Sequence, residues 1–211
     1  MAGLQQRTDA WFAARRGRLT ASNLGASLGL VSYVSRPEAY RRVTGASEFV
    51  GNPACDWGTT NEANATVSYQ IASGNTVQPV GLFIHKDYDW LAGSPDGFVG
   101  EDGMVEIKCP FYHKKDGSPR VHAAVPIHYW CQVNALLEIT EREWCDYVSW
   151  TPEGMRTLRV PRDKEAFDFL LNYYGQFYAA MARGDAAPPP LPASEKARIV
   201  ECIERAMEKV K

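Results

Sequence analysis

Closely spaced turn signals in the middle of the chain constrain its fold more than any other feature. Residues 95–97 read Pro-Asp-Gly, and residues 100–103 read Gly-Glu-Asp-Gly. Proline, aspartate and glycine favour tight turns, and strand-like runs follow these signals at residues 98–99 and 104–109. The pattern therefore predicts a β-hairpin.

The second strand of this hairpin has one polar and one apolar face. Successive side chains of a strand point to opposite faces, so Glu106 and Lys108 share a face. The other face carries the apolar residues Val105, Ile107 and Cys109. Such a strand is also typical of a solvated hairpin without chemistry, and the hairpin alone does not separate the two interpretations.

Strand pairing in the hairpin brings acidic residues together. If the strands pair about Glu101, Asp96 lies opposite Glu106, and opposed residues hold their Cβ atoms about 4.5–5.5 Å apart. Carboxylates at that separation repel each other unless a cation lies between them. A hard divalent cation suits this position, because Mg²⁺ takes one or two carboxylates and retains water ligands.

The composition predicts one large globular domain, with or without an appendage. The chain has 211 residues, of which 45% are hydrophobic, and no apolar run is long enough for a membrane span. The five cysteines are scattered and form no C-x-x-C pair, which argues against a disulfide framework or a zinc ribbon and fits a reducing cytoplasm. Because the formal net charge is −2, contact with nucleic acid requires a local basic channel.

Helix and strand signals alternate along the rest of the chain. Cap residues predict where helices start: Ser22 is the predicted cap of the second helix, and Ser194 is the predicted cap of the last. Glu62 is expected in the first or second turn of the fourth helix. The predicted helices span residues 8–17, 23–28, 36–45, 56–74, 126–138, 163–183 and 194–211, and further strands span 76–84, 143–149 and 155–160. This order predicts a mixed α/β sheet with helices on its faces.

A proline-rich stretch near the C-terminus predicts the domain organisation. Residues 188–192 read Pro-Pro-Pro-Leu-Pro, which is typical of a stiff, extended linker. We expect a main domain over residues 1–186, a linker over 187–193 and an amphipathic helix over 194–211. That helix either docks on another protein or packs on its own domain, because its apolar stripe fits both.

Asp96 followed by Glu106-Ile107-Lys108 resembles the P-D…(D/E)-x-K signature of the restriction-endonuclease-like nuclease superfamily. Within that superfamily, the chain is similar to the lambda exonuclease branch, the YqaJ-type viral recombinase family. An ordered set of motifs across residues 8–135 carries this resemblance: Asp9-Ala-Trp11, Arg15 with Gly17, Thr20-Ala-Ser22, Trp57-Gly58 with Glu62, Ser94-Pro-Asp-Gly97, Glu106-Ile-Lys-Cys-Pro-Phe111 and Tyr129 with Gln132.

The resemblance implies an α/β fold with a restriction-endonuclease-like core, in which helices flank a central mixed β-sheet. It implies a Mg²⁺-dependent 5′→3′ exonuclease that digests one strand of double-stranded DNA from 5′-phosphorylated ends. The 3′ single-stranded tails would serve a single-strand annealing recombinase in phage-type homologous recombination. The expected assembly is a ring-shaped homotrimer, encoded by a phage or prophage, working in the bacterial cytoplasm without membrane contact.

The same resemblance implies a site for two Mg²⁺ ions, with Mn²⁺ able to substitute. Asp96 is the expected bridging ligand and Glu106 the second ligand. The backbone carbonyl of Ile107 is the expected third ligand, and Glu62 should help to hold the second ion directly or through water. Paired ions of this kind can serve both the attacking and the leaving oxygens of a phosphodiester.

Two further residues have expected catalytic roles beside these ligands. Lys108 lies next to the expected cations, which would lower its pKa. It could orient or deprotonate the attacking water, or stabilise charge on the phosphate, and the sequence does not separate these roles. Gln132 is expected to orient Lys108 or the water from the neighbouring helix.

Basic residues on both sides of the hairpin are expected to contact the DNA. Arg15 and Ser22 match the family's pocket for the terminal 5′-phosphate, and a guanidinium beside a helix N-terminus suits such an anion. Lys114, Lys115 and Arg120 are the expected contacts to the DNA backbone. Arg15 also fits an ordinary basic surface helix.

Other functions are compatible with the same motifs. One is a structure-specific DNA repair endonuclease on the same fold. Another is a non-catalytic DNA-end-binding module with a vestigial site, against which the intact residues Asp96, Glu106 and Lys108 argue.

Overall fold

The computed structural model describes residues 4–47, 51–111 and 118–211. The helices of this part are α1 (Asp9–Arg15), α2 (Leu24–Ser27), α3 (Arg36–Val43), α4 (Pro53–Ser73), α5 (Ile127–Thr140), α6 (Lys164–Arg183) and α7 (Ala193–Met207). The strands are β1 (Leu19–Thr20), β2 (Val77–Gln78), β3 (Phe83–Ile84), β4 (Leu91–Gly93), β5 (Gly97–Val99), β6 (Gly103–Lys108), β7 (Trp144–Thr151) and β8 (Gly154–Pro161).

A mixed five-stranded sheet, in the order β2-β5-β6-β7-β8, forms the centre of the described residues. β6 and β7 run parallel, whereas the other neighbours in this sheet are antiparallel. A smaller sheet has the order β1-β4-β3, with β1 parallel to β4. The architecture matches the mixed α/β sheet that the order of sequence signals predicts.

β5 and β6 form the predicted hairpin. Gly97 pairs with Val105, and Val99 pairs with Gly103. Gly100 begins the turn with φ of +59°, a backbone conformation that favours glycine. Extending the register by one residue places Asp96 opposite Glu106, as expected from pairing about Glu101.

Helices cover both faces of the central sheet. α5, α6 and α7 contribute to the main hydrophobic cluster, whose largest fully buried members include Trp130, Tyr147, Tyr174 and Phe177. On the other face, α4 packs through Ala65 and Tyr69 against the apolar side of the hairpin and β7, at residues Val99, Val105, Ile107 and Val148. Glu106 belongs to the face of β6 that meets α5, because Val105 and Ile107 face α4.

The C-terminal helix packs within this chain. Ile199 and Ile203 of α7 are fully buried in the main cluster. The proline-rich segment before it is anchored by Arg36, which is buried and donates a hydrogen bond to the Pro189 carbonyl at 2.7 Å. The face of α7 that carries Ile199 and Ile203 therefore packs on the rest of this chain.

The fourth helix begins earlier than the sequence predicts. Pro53 occupies its first turn, and the Asn52 side chain accepts a hydrogen bond from the Cys55 N–H at 3.0 Å. This cap and proline move the start from residue 56 to residue 53. Glu62 consequently lies in the third turn, and the prediction of the first or second turn is wrong.

The predicted serine caps are also wrong. Ser22 lies inside a 3₁₀ turn (Ala21–Asn23), and α2 begins only at Leu24. Ser194 lies inside α7, which follows Pro192 without a side-chain cap.

The single strand predicted over residues 76–84 is also wrong. It divides into β2 and β3, which belong to different sheets. Pro79 lies between them and has no N–H to donate to a strand pair.

The state of the cysteines and the character of the helices bear on the cellular environment of the protein. All five cysteines are free thiols, and three of them are buried. Among the described residues, no helix combines the length and the apolar character needed to cross a membrane.

We predict that Gly25→Ala destabilises the fold by about 1–3 kcal/mol, because a Cβ at this position on α2 overpacks the contact with α5. That Cβ would lie 2.6 Å from His128 Cβ and 2.8 Å from its backbone. Gly175→Ala is the matched control in α6, where a Cβ meets no atom within 4 Å, and it should stabilise by about 0.5–1 kcal/mol. Denaturant unfolding measures both, and equal effects would contradict the prediction.

Candidate active site

The predicted carboxylates, lysine and glutamine meet at one end of the central sheet. Asp96 accepts a hydrogen bond from the Ile107 N–H at 2.6 Å, which ties the start of β5 to β6. Lys108 Nζ donates to Glu106 Oε1 at 2.7 Å. The same oxygen accepts from Gln132 Nε2 of α5 at 2.5 Å. The amide of Gln132 therefore fixes Glu106, whereas the expectation was that it orients Lys108 or water.

Burial dominates the electrostatics of the two carboxyl groups. Glu106 is only 2% exposed, and its Oε2 is buried without a hydrogen-bond partner among the described residues. Burial raises the pKa of Asp96 well above its usual range, and the charge of Glu106 raises it further. Burial also raises the pKa of Glu106, although Lys108 opposes this effect. Both carboxylates are thus held where a negative charge is costly without a cation.

Lys108 is enclosed between the carboxylates and an aromatic ring. Its Nζ lies 4.8 Å from the centroid of the Tyr129 ring. Burial alone would lower the pKa of Lys108, but Glu106 and its other acidic neighbours raise it above the usual value. This direction is opposite to the expected lowering, which assumed cations beside the amine.

These residues fit a divalent cation. The unpartnered oxygen of Glu106 and the nearby carboxylate of Asp96 provide hard oxygen ligands, as Mg²⁺ prefers. Within residues 4–47, 51–111 and 118–211, no cluster of three or more Asp, Glu, His or Cys side chains is arranged for metal binding. The metal-binding groups already in place are therefore the two carboxylates of Asp96 and Glu106, which are sufficient for an ion that keeps several water ligands.

Glu62 reaches the same cavity from the opposite layer of the fold. It lies on α4 and lines a cavity of about 350 Å³ together with Asp96 and Lys108. Its charge contributes to raising the pKa of Asp96. Arg7 Nη2 donates a hydrogen bond to Glu62 Oε2 at 2.6 Å, so this carboxylate has a cationic partner.

The predicted phosphate-binding residues Arg15 and Ser22 come together through Thr20. Arg15 Nη2 lies 3.3 Å from Thr20 Oγ1, which in turn lies 3.3 Å from Ser22 Oγ. Burial lowers the pKa of Arg15, and no charged group of the described residues offsets this effect. A half-buried guanidinium without an acidic partner in this part of the chain suits an external anion.

This cluster is attached to the loop that carries Asp96. The Arg15 guanidinium packs over the Trp11 ring at 4.1 Å. Trp11 Nε1 donates to Ser94 Oγ at 2.9 Å, two residues before Asp96. Trp11 therefore connects the candidate anion site to the loop that carries Asp96.

The remaining predicted DNA contacts, Lys114, Lys115 and Arg120, fall in the part of the sequence between β6 and α5. Lys114 and Lys115 are outside the described residues. Arg120 is described and exposed in this segment.

Three residues at the site were given no function from the sequence, although Thr20 and Tyr129 belong to the matching motifs: Arg7, Thr20 and Tyr129. A sequence signal existed for Tyr129, because it precedes Gln132 by three positions and so shares its helix face. Thr20 stands two positions from Ser22 in a matching motif. Arg7 reaches Glu62 across 55 positions, and no local pattern indicates such a contact.

Comparison with known families and structures agrees with this geometry. The family model for the YqaJ-like viral recombinase domain matches residues 10–143, more than half of the 211 residues. The fold is similar to a crystal structure of an alkaline exonuclease from Laribacter hongkongensis, with a TM-score of 0.67 and 25% sequence identity. The match covers 94% of this chain and 99% of that one. The predicted resemblance and fold class are confirmed.

Two curated viral proteins are also similar in sequence. African swine fever virus (strain Badajoz 1971 Vero-adapted) protein D345L is 34% identical over 168 residues, covering 64% of this chain and 46% of D345L. Uncharacterized protein R354 of Acanthamoeba polyphaga mimivirus is 28% identical over 112 residues, covering 47% of this chain and 20% of R354. The chain thus spans less than half the length of these curated relatives.

We predict that Asp96→Asn stabilises the protein by about 1 kcal/mol at pH 8 in the presence of a chelator. The substitution removes the half-buried charge beside the buried Glu106, and the amide oxygen can still accept the Ile107 N–H bond. Urea unfolding checks this, with Glu101→Gln as an exposed control that should change stability by less than about 0.5 kcal/mol. A destabilised Asp96→Asn protein would contradict the proposed electrostatic cost.

Proposed function

Because the chain belongs to the YqaJ-like viral recombinase domain family, we propose that it is a Mg²⁺-dependent nuclease that digests one strand of duplex DNA from a 5′ end. The 3′ single-stranded product would then serve homologous recombination by strand annealing. Similarity to the Laribacter alkaline exonuclease over nearly its whole length supports a nuclease. A second structure of that exonuclease contains dAMP and is also similar, with 26% identity and a TM-score of 0.62.

One observation carries the proposal: the half-buried Asp96 and the buried Glu106 lie beside each other, and Lys108 contacts Glu106. Most buried oxygens of structural sites are paired, whereas Glu106 Oε2 has no partner among the described residues. Hydrolysis of a phosphodiester needs charge neutralisation and a positioned water. The two carboxylates provide ligands for a cation that neutralises charge, and the Lys108 amine can position the water.

Each residue has a distinct proposed role. Asp96, Glu106 and the Ile107 carbonyl would hold the ions, with Glu62 completing the site from α4. When bound, two Mg²⁺ ions, or Mn²⁺ in their place, would supply positive charge at the phosphate and promote ionisation of the attacking water.

The amine and the amide act beside these ligands. Glu106 and the Tyr129 ring hold the Lys108 amine in place. From that position, the amine can orient the attacking water or stabilise charge on the phosphate. Gln132 keeps Glu106 in place through its 2.5 Å hydrogen bond.

The cluster around Arg15 supports the 5′ polarity. A terminal phosphate offers negative charge and several acceptor oxygens, which match a guanidinium beside the hydroxyls of Thr20 and Ser22. Since Trp11 links this cluster to the Asp96 loop through Ser94, a phosphate bound there would place a nearby linkage at the carboxylates. Lys114, Lys115 and Arg120 stay proposed contacts to the DNA backbone.

The assembly and cellular context stay predictions from the resemblance. They comprise a homotrimeric ring around the DNA, an annealing recombinase as partner, and the cytoplasm of a bacterial host of a phage or prophage. Light scattering measures the oligomer directly.

The decisive test compares linear duplex DNA with a covalently closed circle in Mg²⁺. We expect the linear DNA to be degraded and the circle to survive, because the enzyme needs an end. Lys108→Ala should reduce the rate by about 10²–10⁴ while leaving the circular dichroism spectrum unchanged. Cleavage of the circle would indicate an endonuclease, and end binding without cleavage would indicate a non-catalytic module.

We predict that Arg15→Ala reduces kcat/KM by about tenfold or more on 5′-phosphorylated duplex and leaves the 5′-hydroxyl duplex unchanged. The reason is the loss of a charge-assisted hydrogen bond to the terminal phosphate. Arg16→Ala, which removes the exposed neighbouring charge, is the control and should affect both substrates equally. Equal losses on both ends for Arg15→Ala would rule out the phosphate pocket.

A further inference from the structure

Arg7 lies at the junction of two cavities in the candidate active site. One is the cavity of about 350 Å³ that contains Asp96, Glu62 and Lys108. The other, of about 660 Å³, is also lined by Asp96 and Glu62, together with Arg142. The guanidinium of Arg7 reaches Glu62 at 2.6 Å, although half of the Arg7 side chain (51%) is exposed.

The backbone holds Arg7 in place at a conformational cost. Its φ of +66° is in the left-handed region, which a residue with a side chain rarely adopts. The neighbours on both sides are fixed: Gln6 Nε2 donates to the Pro95 carbonyl at 2.9 Å, and the Thr8 hydroxyl donates to the Gln5 carbonyl at 2.8 Å. Strain that is maintained by its surroundings is found preferentially at functional sites.

The Arg7–Glu62 contact is part of the charge balance of the candidate active site. Glu62, Asp96 and Glu106 are three carboxylates that influence one another, whereas Lys108 and Arg7 are the cations that pair with them in the described residues. A divalent ion at the carboxylates would take over the neutralisation of Glu62. Arg7 would then be an exposed guanidinium beside the position of a phosphodiester, for which its fork of donors is suited.

We propose that Arg7 exchanges partners: it neutralises Glu62 in the metal-free protein and binds a backbone phosphate of the DNA strand once Glu62 faces a divalent cation. This inference rests on the proposed function, because it assumes DNA in the cleft. It adds a phosphate-binding residue on the N-terminal segment, outside the hairpin and α5. It also makes Arg7 a competitor of the cation for Glu62.

Two measurements on Arg7→Ala test this exchange. The first is Mn²⁺ binding to the protein without DNA, by calorimetry. The second is binding of a 5′-phosphorylated duplex as a function of salt, by fluorescence anisotropy, in a Lys108→Ala background, with Mg²⁺ or with EDTA. Arg183→Ala is the matched control, because Arg183 forms an exposed ion pair of the same 2.6 Å length with Asp185.

The exchange predicts a specific pattern. Arg7→Ala should bind Mn²⁺ about fivefold more tightly, since a competing positive charge is gone. It should bind duplex about tenfold more weakly in Mg²⁺, with a salt slope smaller by about one, and should equal its parent in EDTA. Arg183→Ala should change neither quantity.

Other results overturn the proposal. If Arg7→Ala behaves like Arg183→Ala, the contact with Glu62 is an ordinary surface ion pair. An equal loss of DNA affinity in Mg²⁺ and in EDTA would mean a permanent phosphate contact without exchange, and unchanged or weaker Mn²⁺ binding would exclude the competition. Failure of the unsubstituted protein to degrade linear duplex would instead refute the proposed function, while the Mn²⁺ comparison would still judge the competition for Glu62.

Discussion

The structure depends on keeping two carboxylates, the half-buried Asp96 and the buried Glu106, beside each other at the end of the central sheet. Register in the β5–β6 hairpin brings Asp96 and Glu106 together, and the Ile107 N–H holds the first of them at 2.6 Å. Lys108 and Gln132 both bind the same oxygen of Glu106, which leaves the other oxygen without a partner in the described part of the chain. The surrounding layers of the fold therefore keep these carboxylates in place although their burial makes a negative charge unfavourable.

Several layers contribute to this end of the sheet, and each adds a different chemistry. The hairpin supplies carboxylates, α5 supplies an amide and an aromatic ring, and α4 supplies Glu62 from the opposite face. The N-terminal segment supplies guanidinium groups, with Arg15 tied to the Asp96 loop through Trp11. Such a division separates the residues suited to hold cations from those suited to hold phosphates, which is what an enzyme acting on a polyanion requires.

The sequence predicted the parts of the site that depend on local pattern. Alternation and turn residues were sufficient for the pairing of Asp96 with Glu106, and motif resemblance identified the family. Cap assignments failed where competing residues dominated: Asn52 and Pro53 start α4 early, and Ser22 lies inside a 3₁₀ turn. The contact of Arg7 with Glu62 joins distant segments, so it depends on tertiary packing that no periodicity encodes.

The unequal size of the two hydrophobic clusters has a dynamic consequence. The face that carries α5, α6 and α7 is broad, whereas α4 is anchored to the sheet by a small group that includes Ala65 and Tyr69. Sub-global opening follows the weakest packing. α4 would therefore detach at lower free energy than the hairpin, and its amide protons would exchange with solvent before those of β6. When α4 detached in this way, Glu62 would withdraw while Asp96 and Glu106 kept their places, so that the three proposed oxygen ligands would be together only part of the time.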